Sequence, residues 1–293
     1  MQRREFLAAG ALAAAAAGRV GAQEQQGSHA AIPGQQPGAA TLKGRLKQSA
    51  CRWCYGGMKL EDLCEHAAAI GLKSVELLTE KEWSVPAKYG LTCAVGMGPT
   101  TIPRGFNRVE HHDEFVKESE RLLPLVKAAG IPNMIVFSGN RKGMDDKEGL
   151  ANCVKGLKRV TPLAESLGVT VIMELLNSKV DHKDYMCDHT VWGVELVKRV
   201  ASPRFKLLYD IYHMQIMEGD VIRTITDNFE HIAHYHTGGV PGRREIDISQ
   251  ELNYKAICEA IVGKGYTGYL GQEFIPSRDA MTSLREAAGI CDV

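Results

Sequence analysis

From Leu46 onward, short apolar runs alternate with longer amphipathic ones over about 250 residues. Most helical stretches stop at a glycine, and no glycine-rich phosphate loop follows the first strand. Together these features predict the α/β class and, within it, a single (β/α)8 TIM barrel. A doubly wound open sheet, the alternative, would place a GxGxxG-type turn after the first strand. Here that turn reads Trp53-Cys54-Tyr55-Gly56-Gly57-Met58.

Strands are expected at 48–53, 74–78, 92–96, 134–137, 170–174, 206–210, 232–236 and 268–273, each a short apolar run between turn residues. Leu63, Ala67 and Ile70 lie at helical spacing and mark a helix over 61–70. Phe115, Leu122, Leu125 and Val126 mark a second over 113–129. The same pattern gives helices at 147–167, 190–200, 220–229, 254–262 and 280–291. Gly71, Gly90, Gly130, Gly168 and Gly265 stand shortly before strands, where a left-handed residue ends the preceding helix.

The chain divides into three parts: 1–22, 23–44 and 45–293. The first part carries Arg3-Arg4 in a short polar head, a weakly apolar stretch from Ala8 to Ala17, and the small-residue site Val20-Gly21-Ala22. It reads as a twin-arginine export signal cleaved near Ala22, which places the mature protein in the periplasm. Residues 23–44 are rich in Gln, Gly, Pro and Ala and read as a flexible linker; 45–293 is the barrel.

Lys plus Arg number 35 and Asp plus Glu 35, with 44% hydrophobic and 24% charged residues. This is ordinary globular composition, which excludes disorder, collagen-like repeats and coiled coil. Cleavage would remove three arginines and one glutamate, leaving 32 basic and 34 acidic residues. So balanced a charge offers no electrostatic case for nucleic acid, and no apolar run long enough for a membrane occurs beyond the N-terminus. A homo-oligomer is compatible with the composition. Of the eight cysteines, Cys51 and Cys54 form a lone CxxC without a second pair at zinc-finger spacing, so free buried thiols are expected. Folding in the cytosol before export suits such a set.

In such barrels, chemistry sits where strands end. The last residues of the four late strands are Glu174, Asp210, His236 and Glu273, separated by 36, 26 and 37 residues, each about one βα unit. Neighbouring strands would then aim three carboxylates and one imidazole at one point. Carboxylates that close repel unless a cation neutralises them. Hard oxygen donors with a single imidazole suit one divalent metal ion, Mn²⁺ or Mg²⁺ first and Zn²⁺ or Co²⁺ next. His234, two residues before His236, points to the same side one layer deeper and is read as a core or supporting histidine. His213, Asn177 and Arg243 follow these strand ends closely and are candidate substrate-binding residues. Trp53 and Tyr55, after the first strand, could line a sugar pocket or pack in the core.

The segments YDIYHMQIMEGD (209–220), GGVPGRREID (238–247), ELNY (251–254) and GYLGQEF (268–274) resemble the xylose-isomerase-like barrel superfamily of sugar isomerases and epimerases. The resemblance covers roughly 45–293 and is strongest to the hydroxypyruvate isomerase family. It implies a divalent metal held by Glu174, Asp210, His236 and Glu273, with Glu174 and Glu273 doubling as the catalytic acid/base pair. It also implies that His213 and Arg243 contact substrate oxygens. Two positions depart from the pattern. Hydroxypyruvate isomerases commonly carry Gln where this chain has His236, the choice of ketose 3-epimerases. Those epimerases have an acid six residues after the first Glu, where this chain has Val180.

The implied activity is metal-dependent isomerisation or epimerisation of an α-hydroxy carbonyl substrate, a small sugar or keto acid, by proton transfer through an enediolate. A lyase of the same fold acting on keto-sugars or 3-keto-glycosides is the first alternative, and an exported non-catalytic sugar-binding protein is another. An abasic-site endonuclease would need a histidine-rich cluster and a basic face, which this chain lacks.

Overall fold

The structure, a computed structural model, describes residues 42–293. The expected export signal and all but the last three residues of the expected linker lie outside the described residues. Eight strands, all parallel, form one sheet: β1 (Lys47–Cys51), β2 (Ser74–Glu76), β3 (Val95–Met97), β4 (Asn133–Val136), β5 (Thr170–Glu174), β6 (Phe205–Asp210), β7 (Ile232–Thr237) and β8 (Tyr269–Gln272). Neighbours pair in sequence order from β3 to β8, β8 pairs β1, and β1 pairs β2. Single parallel bridges, Ser74 to Thr92 and Leu78 to Gly96, close β2 onto β3 and complete the barrel. The predicted (β/α)8 architecture is the observed one.

The strands are sandwiched between the barrel axis and the outer helices, so they read as nearly unbroken apolar runs. All five residues of β5 are buried. Outside them lie α1 (Leu60–Ile70), α2 (His112–Ala128), α3 (Asp146–Leu167), α4 (Thr190–Val200), α5 (Ile211–Met217), α6 (Val221–Asn228), α7 (Tyr254–Gly263) and α8 (Ala280–Ile290). Leu63, Ala67 and Ile70 of α1 are buried, as their spacing predicts. In α2, Phe115, Leu122 and Val126 are buried, but Leu125 is 39% exposed. At about 100° per residue Leu125 falls to one side of the stripe that Phe115 and Val126 share. Gly71 (φ 102) and Gly168 (φ 69) end α1 and α3 in the left-handed conformation that stops a helix.

Two features differ from the sequence reading. The strand expected at 92–96 is β3, shifted to Val95–Met97, with Thr92 kept in the barrel only by its bridge to Ser74. An extra helix, α5, starts directly at the end of β6. It is seven residues long, too short for a 3.6-residue period to declare itself, and Asp210 caps it by accepting from the His213 amide at 3.0 Å. The end of the expected linker is tied to the barrel, since the Lys43 amide donates to Asp292 Oδ2 at 2.8 Å. All eight cysteines are free, and no described helix is long and apolar enough to cross a membrane.

Candidate active site and metal centre

The topology puts β5, β6, β7 and β8 side by side, and their C-terminal ends carry the four residues the spacing singled out. Glu174 closes β5, Asp210 closes β6, His236 is the penultimate residue of β7, and Glu273 follows β8 directly. One atom from each lies within 4.8 Å of the others, and all four side chains are buried. His236 Nδ1 stands 2.7 Å from Glu273 Oε2, 3.2 Å from Glu174 Oε1 and 3.9 Å from Asp210 Oδ2.

Behind His236 lies a carboxylate that sequence reasoning missed. Glu76, the last residue of β2, is fully buried, and its Oε1 accepts from Nε2 of His236 and from Nε2 of His234, each at 2.8 Å. Burial alone would raise the Glu76 carboxyl. The two histidines outweigh it and hold Glu76 below the ordinary carboxylate range. An ionised carboxylate only accepts, so both imidazoles must present Nε2–H to it. Cys51 Sγ, from β1, sits 3.6 Å from the same oxygen. The β8 residue beside this pair is Gly271, where a Cβ would come within 2.5 Å of Glu76 Oε1 and 2.7 Å of His236 Cδ2. The signal for Glu76 was available: an acid inside a strand buried on both faces must be paired.

A cavity of about 730 Å³ opens above the cluster, with Glu174, Glu273, His213 and Arg243 in its wall. Arg243 Nη2 donates to Asp210 Oδ2 at 2.6 Å and also to Glu273 Oε2. Its guanidinium lies over the rings of Tyr212, at 4.7 Å, and Trp53, at 5.8 Å. Nε and Nη1 of Arg243 are buried and have no protein partner, so both remain to donate to a ligand. His213 Nδ1 accepts from Asn177 Nδ2 at 2.7 Å, which leaves Nε2 as the donor facing the site. Asn177 itself does not line the cavity. Its Oδ1 accepts from the Val180 and Asp181 amides and its Nδ2 donates to Asp181 and His213, so both of its polar atoms bond within the protein. Trp53 lines the cavity and donates to Glu273 Oε1 at 2.5 Å, whereas Tyr55 is buried away from it. The residue after Val180 is an acid: Asp181 lines the cavity and accepts from Tyr212 Oη at 2.8 Å.

The family model "Xylose isomerase-like TIM barrel" matches residues 64–290. The chain belongs to this family. A Drosophila melanogaster protein provisionally named hydroxypyruvate isomerase is 35% identical over 187 residues, which is 64% of this chain and 68% of that one. A 2-oxo-tetronate isomerase from Cupriavidus necator is 34% identical over 126 residues, 43% of this chain and 48% of that protein. The chain thus spans about half the length of several curated relatives it matches. Among solved structures, an AP endonuclease family 2 protein from Brucella melitensis superposes with a TM-score of 0.76 at 24% identity, covering 83% of this chain and 99% of that one. The 3-keto-D-glucoside 4-epimerase from E. coli superposes at 0.70 with 18% identity, covering 83% and 98%. Those two likenesses establish the fold.

The charge balance of this xylose isomerase-like barrel tests whether a metal ion fits. Burial, reinforced by Glu273 and Asp210 and partly offset by the bond to His236, pushes Glu174 up to about 7. Burial would also raise Glu273, but Arg243 and His236 outweigh it and hold that carboxyl below its ordinary range. Burial pushes His213 down. With Nε2–H committed to Glu76, His236 Nδ1 either holds a second proton among the carboxylates or offers its lone pair to a cation. Arg243 supplies one positive charge against the three carboxylates. Three oxygen donors and one imidazole nitrogen converging within 4.8 Å, with a partner fixing the far side of the imidazole, fit a divalent cation.

Proposed function

We propose that this barrel is a divalent-metal-dependent isomerase or epimerase, similar to hydroxypyruvate isomerases, acting on an α-hydroxy carbonyl sugar through an enediolate. The observation that carries this reading is the convergence of Glu174, Asp210, His236 and Glu273, two of which, Glu174 and Glu273, line the cavity. These four residues would hold the ion, Mn²⁺ or Mg²⁺ before Zn²⁺ or Co²⁺. When bound, the ion supplies the positive charge that acidifies the C–H between a carbonyl and its neighbouring hydroxyl.

The protein's own groups do the rest. Glu174 and Glu273 come from strands β5 and β8 and flank His236 Nδ1 at 3.2 and 2.7 Å, so they can reach a substrate held there from two sides. One carboxylate removes the carbon-bound proton, and the C–H electron pair becomes the enediolate double bond. The other carboxyl group returns a proton. Return to the opposite face of the same carbon gives an epimer; return to the neighbouring carbon, with the hydroxyl proton passing to the former carbonyl oxygen, gives the aldose–ketose isomer. His213 Nε2 and the free Nε and Nη1 of Arg243 donate to substrate oxygens and so favour the negative charge that develops there.

The test is solvent exchange. Mn²⁺-incubated protein in D₂O should place deuterium on the carbon next to the carbonyl of an α-hydroxy ketone, read by NMR. Folded, metal-bound protein that exchanges no α-hydroxy carbonyl compound would sink the reading. Product analysis separates a lyase, which would also release a leaving group. Export is a separate part of the proposal: changing Arg3 and Arg4 together to lysine should leave the precursor in the cytoplasm, and an unchanged periplasmic yield would count against it.

A further inference from the structure

The cavity wall is divided. Its charged side chains come from the β5–β8 half of the barrel, which also contributes Leu176, Ile216 and Val240, whereas the β2–β4 half presents Leu77, Met97, Ile102, Ile135 and Phe137, with Thr79 as the polar exception. Thr79 Oγ1 is itself bonded to Glu82 at 2.6 Å. A sugar with a hydroxyl on every carbon would bury those hydroxyls without partners against this half, which costs free energy.

The mouth is apolar too, on residues that follow β1, β5 and β8. Trp53, Val180 and Ile275 are 47%, 60% and 37% exposed, and all three line the cavity. Exposed apolar side chains gathered at the rim of one pocket mark a ligand surface, whereas the same residues scattered singly would not.

Size points the same way. About 730 Å³ lies in the range of pockets that enclose drug-sized ligands. A three- or four-carbon keto acid has roughly seven to nine non-hydrogen atoms, while the cavity has room for roughly two dozen waters at about 30 Å³ each.

Charge disfavours an acid. Among the described residues, Arg243 is the one guanidinium or ammonium group in the cavity wall, and with the proposed divalent ion it brings three positive charges against the four carboxyl groups of Glu174, Asp181, Asp210 and Glu273. Glu174, Asp181 and Glu273 line the same space.

We infer that the substrate is an uncharged α-hydroxy ketone whose reacting carbons meet the four-residue cluster and whose far end carries a bulky apolar substituent. A small keto acid would fill neither the volume nor the apolar half. The inference rests on the proton-transfer reading for its reacting end, while the apolar end rests on the wall alone.

Two measurements on the full Mn²⁺-loaded protein test it. The first is deuterium exchange at the hydroxymethyl carbon of hydroxyacetone, 1-hydroxy-2-butanone and 1-hydroxy-2-hexanone, with hydroxypyruvate alongside. Each buried methylene contributes about 0.8 kcal/mol, so kcat/KM should rise roughly fourfold per methylene, with hydroxypyruvate below the hexanone. Ile102→Ser, on the half-buried wall, should flatten that slope. A flat or falling series, or hydroxypyruvate fastest of all, overturns the inference. The second is calorimetric binding of 1,2-propanediol and 1,2-hexanediol, which needs no turnover. Tighter binding of the longer diol supports the apolar subsite even if no compound exchanges, an outcome that would sink the proton-transfer reading alone. Equal affinity for the two diols overturns the apolar subsite whatever the exchange shows.

Discussion

Nε2 of His236 and Oε1 of Glu76 lie 2.8 Å apart, and that one oxygen also accepts from His234 Nε2 at 2.8 Å. A carboxylate at the end of β2 therefore fixes which face of a β7 imidazole carries hydrogen, and the other face is left to the three acids of the site. Removing the hydrogen-bond partner of a metal-binding imidazole typically costs 10–100-fold in metal affinity. Glu76→Leu should weaken Mn²⁺ binding by about that factor. Long-range ¹H–¹⁵N spectra should show His236 losing its single Nε2–H tautomer. Glu76→Gln, which keeps an acceptor oxygen, should retain more of both. Unchanged affinity and tautomer in the leucine variant would make Glu76 a mere packing residue.

Gly271 supports the same pair by being small. Gly271→Ala would put a methyl group 2.5 Å from Glu76 Oε1, inside van der Waals contact. Crowding of that kind costs about 1–3 kcal/mol, so the midpoint of denaturant unfolding should fall and metal affinity should drop with it. A variant with wild-type stability and metal affinity would show that the pair relaxes freely.

Glu174→Gln and Glu273→Gln keep size and one oxygen but can neither hold nor release the proton. Each should retain much of the metal, measured by elemental analysis, and lose turnover by the ~10²–10⁴-fold typical of general acid–base catalysis. Normal turnover in both would refute the two-carboxylate mechanism.

Glu245 ties the Arg243 loop to the segment after β8. It accepts from the Ser277 amide at 2.8 Å, the Ser277 hydroxyl at 2.8 Å and the Ser283 hydroxyl at 2.9 Å. Burial would raise this carboxyl, but its own and the Ser277 amide, with the two hydroxyls, bring it from the ordinary 4.5 down to about 2. A carboxyl whose folded pKa is depressed stabilises the fold above its unfolded value and loses that contribution as pH falls. The stability of the wild type, measured by chemical denaturation, should thus fall as pH drops from about 4.5 to 2, and Glu245→Gln should lessen that dependence. An identical pH profile in the variant would exclude this role.

The barrel and four of its site residues were legible because periodicity and chain position encode them. Strands buried on both faces read as apolar runs, and an acid or histidine ending each of four successive runs needs no distance to be noticed. Glu76 and Gly271 were not legible as a pair. They lie 195 positions apart in the sequence and meet only because β1, between β2 and β8 in the sheet, brings their ends together at the axis. The short helix α5 hid for another reason, since seven residues hold barely two turns of pattern. Asn177 shows the limit of proximity arguments: three residues from Glu174, it faces His213 and leaves the cavity to others.

The most direct measurement is the number of metal ions bound per folded chain, with Mn²⁺, Mg²⁺, Co²⁺ and Zn²⁺ offered in turn and the bound metal counted after removal of free ion. Four ligands on adjacent strand ends predict one ion per chain for at least one of these metals, and substantial loss of it in Asp210→Ala and His236→Ala. Well-folded protein that binds none of the four stoichiometrically, or that binds equally well without Asp210 and His236, would contradict the metal centre on which the proposed chemistry stands.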